Sequence, residues 1–202
     1  ISVDDARARV PILNERITRA AFHDSARDID TDRMIQDFAG VLRRHGGQIR
    51  TGAQVTAIEN GQGWTIHCSH QALHAHTLVN AAGAWADQIA IMAGITPIGI
   101  NPLRRSMARI PAPGGHDVSK WPIFFGVGET WYAKPDAGSL LVSPADEDPV
   151  EPHDAWADDM VLAQGLDRYA QHVTEPVKRV ETTWAGLRSF APDRTLVLGP
   201  DP

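Results

Sequence analysis

Arg188 is the residue of this sequence best placed to do chemistry. It closes the run Trp184-Ala-Gly-Leu-Arg188, in a segment where Val180, Thr182 and Trp184 alternate as strand residues do. Trp184, Leu187 and Phe190 stand close to it in sequence, which predicts a guanidinium heading into an apolar pocket. Such a group seeks a carboxylate, and its planar fork holds one through two charge-assisted bonds of roughly 1.5–3 kcal/mol each. A structural salt bridge to one of the chain's many acids is the plainer alternative. A second candidate is Asn80-Ala81-Ala82-Gly83-Ala84-Trp85. Small side chains there close a strand just before a helix, which lets backbone and helix N–H groups approach a nucleotide. A tight strand-to-helix joint with no ligand fits the same residues.

Other chemistries fail on spacing. Gly61-x-Gly63 and Gly126-x-Gly128 are followed by Ile66 and Trp131 where a dinucleotide loop needs its third glycine. There is no phosphate-binding Walker loop and no G-x-S-x-G elbow. Asp28-x-Asp30-x-Asp32 begins like a calcium loop, but Arg33 and Ala39 replace the required Gly and Glu, so a capped helix start is expected. His67, His70, His74 and His76, with Cys68, could meet at a metal across paired strands. Neighbours such as His67 and Cys68 point to opposite faces of a strand, and a solvated, His-decorated hairpin is the better expectation. No metal is expected. Residues 136–167 hold many acids and no Lys or Arg, which suits a solvated loop and a helix start at Asp158-Asp159.

The elements that must position these residues can be read from periodicity. A helix is expected over 29–45, with Asp30 or Thr31 as cap, Met34, Ile35, Phe38, Val41 and Leu42 along one face, and Gly46-Gly47 as the stop. Strands are expected at 48–59, 64–69 and 73–82, with a turn at 60–63, then a short helix over 85–92. Further strands are expected at 103–110, 123–127, 131–134, 140–143 and 179–189, with a turn at 135–138 and a helix near 158–173. Helix and strand alternate before Pro97–Pro102, and antiparallel-looking strands dominate after it. The fold class read from this is α/β to α+β.

Composition limits the rest. The chain has 202 residues, 43% hydrophobic and 22% charged, an ordinary globular mixture. A net charge of -6 and a pI near 5.8 are of the wrong sign for nucleic acid or an anionic membrane surface. The most apolar stretch, 77–100, is broken by Asp87, Gln88, Gly83, Gly94 and Pro97 and is no membrane span. Cys68 is the single cysteine, so no intrachain disulfide forms, and a cytoplasmic protein is expected. Residue 1 is Ile, and the chain stops at Pro202 just after Leu196-Val-Leu198, so both ends read as cut.

Three stretches together carry a family resemblance: Thr51-Gly-Ala-Gln-Val55-Thr-Ala-Ile-Glu59, Thr77-Leu-Val-Asn-Ala-Ala-Gly-Ala-Trp-Ala-Asp87, and Trp184-Ala-Gly-Leu-Arg188-Ser-Phe-Ala-Pro-Asp193-Arg194, the last running on to Gly199. In this order they resemble the FAD-dependent oxidases and dehydrogenases of the D-amino-acid oxidase and glycine oxidase family, from about Ile29 to Gly199. The second stretch is the most specific. A family member normally opens on a strand–GxGxxG–helix unit and ends on a Gly-rich flavin segment. Neither is found here, so the sequence resembles the middle of such an enzyme.

The resemblance implies part of an FAD-binding two-dinucleotide-fold domain over 1–100, a mostly antiparallel substrate domain with a flanking helix over 101–190, and a return to the first over 191–202. It implies FAD as cofactor, with Val55 at the adenine, Ala81, Ala82, Gly83 and Trp85 on the adenosine and pyrophosphate side, and Arg104, with Arg105 beside it, on a basic strand beneath the flavin. Arg188 then binds the substrate carboxylate and Tyr132 helps fix it, although a half-buried sheet tyrosine would look the same. The implied reaction is oxidation of the C–N bond of an amino acid or related amine by hydride transfer to flavin. The implied partner is thus a small carboxylate-bearing amine, with homo-oligomerisation left open. Rival expectations are a 2-hydroxyacid or glycerophosphate dehydrogenase, and a truncated module without FAD or activity of its own.

Overall fold

The structure, a computed structural model, describes residues 1–69 and 71–201, so the expectation placed on His70 lies outside the described residues. In chain order the elements are α1 (Val3–Arg9), α2 (Thr31–Arg44), β1 (Val55–Gly61), β2 (Gly63–Cys68), β3 (Gln71–Ala75), α3 (Ala86–Met92), β4 (Asn101–Pro111), β5 (Phe124–Phe125), β6 (Tyr132–Asp136), β7 (Ser139–Ser143), β8 (Asp148–Pro149), α4 (Asp159–Ala170) and β9 (Thr182–Phe190). Two compact units result. One comprises Ile1–Ala21, Ala81–Gln88 and Thr96–Pro202; the other comprises Phe22–Asn80 and Ile89–Ile95. Among the described residues no helix is long and apolar enough to cross a membrane.

The first unit is built on an antiparallel sheet of order β5-β6-β7-β4-β8, with β9 along the other edge of β4. The expected mostly antiparallel sheet with a flanking helix is what forms. β4 is its spine: β7 pairs with its second half, β8 with its first, and β9 with nearly its whole length, from Asn101↔Phe190 to Arg109↔Thr182. The β6–β7 turn is tighter than expected. Pro135 and Asp136 belong to β6, and only Ala137 (φ 44°) and Gly138 (φ 80°) turn, the positive-φ pair that matches strand twist.

One sheet face is closed by a core. Ile110, Ala133, Leu140 and Val142 pack there with Trp131, Trp121 and Val118, with Tyr169 of α4, and with Val173. Leu162, Gly165 and Tyr169 form the buried stripe of α4, whose N-terminus is capped by Asp158 through the N–H groups of Met160 and Val161. Gly165 is needed for packing: a Cβ there would meet Pro144 Cβ at 2.4 Å. Val10 and Ile12 complete the core, held in place because Asn14 N–H donates to His172 O and Thr174 N–H to Ile12 O. The short α1 ahead of them was not expected. Ser2 caps it by accepting from Asp5 N–H, but only Ala6 is buried, so no apolar periodicity announces it.

The second unit holds α2 and the sheet β1-β2-β3. Asp30 caps α2 by accepting from Arg33 N–H, as the capped-start reading of the Asp triplet required. The apolar residues of α2 do share a face, yet none of the helix is buried, and Phe38 is 69% exposed. β1 starts at Val55, not Gln48, and β3 stops at Ala75, not Ala82; among the described residues no ladder partner extends them. His67 pairs with Glu59 at 3.1 Å and His74 Nδ1 with Thr65 Oγ1 at 3.0 Å.

Candidate active site

Alternation along β4 sorts the residues of the first unit onto two faces. Ala133, Val142, Ala108 and Thr183 are paired in a row on one face, the one on which Ala133 and Val142 pack in the core, so Tyr132, Met107 and Trp184, one residue along each strand, point the other way. Side chains agree: the Tyr132 hydroxyl donates to Met107 Sδ at 3.3 Å. Continuing in steps of two, Arg105 on β4 and Arg188 and Phe190 on β9 join this second face, and the Arg105 guanidinium lies 5.8 Å from the centre of the Tyr132 ring. The face is open: Trp184 is 41% exposed and Phe125, whose ring lies 5.7 Å from that of Tyr132, is 53% exposed.

Arg188 does not enter an apolar pocket. It is exposed: β-strand alternation turns Leu187 to the opposite face, and the Phe190 ring lies beneath its guanidinium at 4.9 Å. Among the described residues it makes no hydrogen bond or ion pair. The structural salt bridge that was the plainer alternative is therefore not formed. Tyr132 and Arg188 share the face without touching, since β7 and β4 run between their strands.

Arg104 is not brought to this face. It projects to the opposite side, where Asp148 takes its Nη2 at 2.6 Å and the nearly inaccessible Asp146 carboxylate lies 3.5 Å from its Nε. Burial opposes its charge, but the hydrogen bond to Asp148 and the charges of Asp148 and Asp146 outweigh that and raise its pKa. Asp146 also accepts from Ser106 N–H and Ser106 Oγ, both at 2.7 Å. Arg104 is thus committed to holding the loop after β7. Arg105, its neighbour, is the basic residue of β4 that belongs to the open face.

A further group there closes the third family-like stretch without a role assigned from the sequence. Arg194 grips both oxygens of Glu147, at 2.6 and 3.4 Å, and lies 4.6 Å from the Phe190 ring that also underlies Arg188. Arg105 donates to Glu147 Oε1 at 3.0 Å and to Asp146 O at 3.0 Å. The Arg194 hydrogen bond, with the charges of Arg105 and Arg188, holds the Glu147 carboxyl below its ordinary range. Arg194 has φ 60°, a left-handed backbone that few non-glycine residues adopt, and so does Ala145 just before this acidic pair, at φ 56°. The sequence names Arg105 beside Arg104, and parity along β4 separates the two; Arg194 closes the third family-like stretch, but nothing in the spacing gives it a role.

The segment expected as a strand-to-helix joint lies in the same unit; no strand enters it, since β3 stops at Ala75, and its turn over Gly83–Trp85 packs along β9. Gly83 opens its turn with φ 56°, Ala82 O accepts Trp85 N–H at 3.0 Å, and a Cβ at Gly83 would meet nothing within 4 Å. Ala81 and Trp85 are exposed and Ala82 half-buried, so bare backbone is presented. Asp87, at the end of this motif, has a structural role, because its carboxylate accepts from the N–H groups of Ile98, Gly99 and Ile100 at 3.2, 3.0 and 2.8 Å. Val55 lies in the other unit, half-buried, beside a register break of the β1–β2 ladder.

The fold matches that of glycine oxidase from Geobacillus kaustophilus with a TM-score of 0.85 and 20% identity, covering 100% of this chain and 54% of that one. It matches L-proline dehydrogenase from P. horikoshii with a TM-score of 0.82 and 18% identity, covering 99% and 55%. Hydrogen cyanide synthase subunit HcnC of Pseudomonas aeruginosa is 26% identical over 158 residues, 76% of this chain and 34% of that protein. The chain therefore spans about half the length of these solved structures and a third of that curated relative. The family model described as DAO, FAD dependent oxidoreductase, matches residues 1–202, and the chain belongs to that family.

Proposed function

We propose that the open sheet face binds the carboxylate of a small amino acid or related amine, within an enzyme that oxidises the adjacent C–N bond. One observation carries this reading: Arg188 stands exposed on an aromatic face, unpaired among the described residues, in a chain of the FAD dependent oxidoreductase family. A guanidinium left with five donors and no protein acceptor is suited to a carboxylate delivered by substrate. Arg188 binds and orients that group. Tyr132, half-buried with its ring beside Arg105, presents a hydroxyl to the same face. Trp184 and Phe125 supply apolar surface that displaces water from the substrate's carbon skeleton.

The residues also fit the cofactor the family uses. The joint at Ala81-Ala82-Gly83 offers exposed backbone with free space on the Cα side of Gly83, so a nucleotide can approach closely there. Ala81, Ala82, Gly83 and Trp85 are the residues proposed to hold FAD, with Val55 proposed for the adenine. Arg104 is committed to Asp146 and Asp148 and Arg105 to Glu147 and Asp146 O, so neither is proposed for the flavin side. When bound, FAD supplies the acceptor for the two electrons and the proton taken from the carbon next to nitrogen.

The test is reduction of the flavin in the full-length enzyme by amino acids and by hydroxy acids of the same carbon skeleton. Amino acids are expected to bleach the flavin, and Arg188→Ala to raise KM about 100-fold, the equivalent of about 3 kcal/mol of lost carboxylate binding, with the flavin spectrum unchanged. A KM unmoved by Arg188→Ala would remove this residue from the site. Hydroxy acids bleaching the flavin in place of amino acids would move the reaction to C–OH.

A further inference from the structure

The open face carries more charge than one substrate carboxylate needs. Arg105, Arg188 and Arg194 bear on it, and Glu147 sits among all three. The charge of Glu129 also acts on Arg194. Within this cluster three guanidiniums meet two carboxylates, a local surplus of one; Arg109, further along the same face of β4, is taken up separately by Asp136 and Glu181. That surplus resides at Arg188, because Arg105 and Arg194 both donate to the Glu147 carboxylate. The backbone holds Glu147 there: the left-handed residues Ala145 and Arg194 lie on either side of the contact, and Asp146, beside it in sequence, is anchored to Ser106. Through Phe190 on one side and Arg105 on the other, this single carboxylate connects the Arg188 and Tyr132 arms of the face.

Resting on the reading of Arg188 as the carboxylate clamp, we propose that Glu147 is a specificity-determining residue: it occupies Arg105 and Arg194, so the face accepts a substrate with one carboxylate and disfavours one with two. A second acidic group would have to displace Glu147 from Arg194 or lie against it, and like charges so placed repel. Removing the Glu147 charge frees two guanidiniums for a second acid. Removing Arg194 does the reverse, since it leaves Glu147 with one fewer partner and a stronger field towards incoming anions.

The experiment compares two probes with the same secondary amine, N-methylglycine and iminodiacetate, on the full-length flavoenzyme. The quantity read is the ratio of kcat/KM for the diacid to that for the monoacid. In the wild type the monoacid is preferred. Glu147→Gln raises the ratio at least 10-fold, and Arg194→Met lowers it. A purely structural role for the Glu147–Arg194 contact would weaken both probes together and leave the ratio in place, so an unchanged ratio, or a shift in the same direction in both variants, overturns the proposal. If Glu147→Gln loses its flavin absorbance, Arg194→Met decides alone. Oxidation of neither probe by the wild type would reject the amine-oxidising function itself, and this proposal with it; oxidation of the monoacid with a static ratio rejects only the role of Glu147.

Discussion

Arg104 and Arg105 are neighbours in sequence and opposites in setting. Arg104 turns to the side of the sheet where Asp146, Asp148 and Ser106 form a closed polar joint. Arg105 turns to the side that carries Tyr132 and Met107 and where Trp184 and Arg188 are exposed. A one-residue step along a strand thus sends two arginines to opposite faces, each committed to its own acceptors, Arg104 to Asp146 and Asp148 and Arg105 to Glu147 and Asp146 O. Arg188, on the face of Arg105, keeps its donors free among the described residues. Charge alone does not mark a site; what matters is whether the protein has already committed the donors to its own acceptors.

This contrast can be broken experimentally, and the largest effect should come from the closed side. Asp146→Ala removes a carboxylate with 3% side-chain exposure that accepts two bonds from Ser106 and faces Arg104. It should cost about 3–5 kcal/mol, read by denaturant unfolding, because donors and a charge are stranded. A loss below about 1 kcal/mol would mean the joint is not what closes that side. Next comes Gly165→Ala, where the added methyl runs into Pro144. A cost of about 1–3 kcal/mol is expected in spite of alanine's better helix propensity. A gain in stability would show that α4 can move away from the β7 end.

The open side should respond to pH. The Arg194 bond holds the Glu147 carboxyl below its ordinary range, so the folded chain releases this proton more readily than the unfolded one. The stability it contributes is present above the ordinary carboxylate range and fades as pH falls through the lowered value. The difference in Tm between wild type and Glu147→Gln should therefore be larger at about pH 7 than near about pH 3; a difference independent of pH would argue against the charge as its cause. The smallest effect is expected where the function is placed. Arg188→Ala should change unfolding stability by less than about 0.5 kcal/mol, since its protein contact is a partly exposed ring. A larger loss would make Arg188 a structural residue.

Local rules carry much of the fold. The Asp30 cap, the apolar face of α2, the β1–β2 turn near Gly61 and the strands around Ser106, Tyr132 and Leu140 all follow from period and turn chemistry. The turn at Gly83 into α3 is legible from its small residues, whereas the strand expected to lead into it stops at Ala75. Facing is less legible. Trp184, Leu187 and Phe190 suggest an apolar enclosure for Arg188, but proximity in sequence is not proximity on a face, and strand alternation takes Leu187 away from it. Arg194 is invisible for a different reason: its role depends on a left-handed backbone and on an acid 47 residues earlier, and neither leaves a pattern along the chain.

The long pairing of β4 with β9 has a kinetic consequence. Every residue of β9 finds its partner about 80 residues back along the chain, so the ladder bearing Arg188 rewards the chain only after a large loop has closed. Until then β4 presents an unpaired edge on that side, the kind of template on which other chains can add. The arginine proposed as the clamp is thus delivered by the strand that seals the sheet, and a chain that has not finished folding has neither a protected edge nor a clamp.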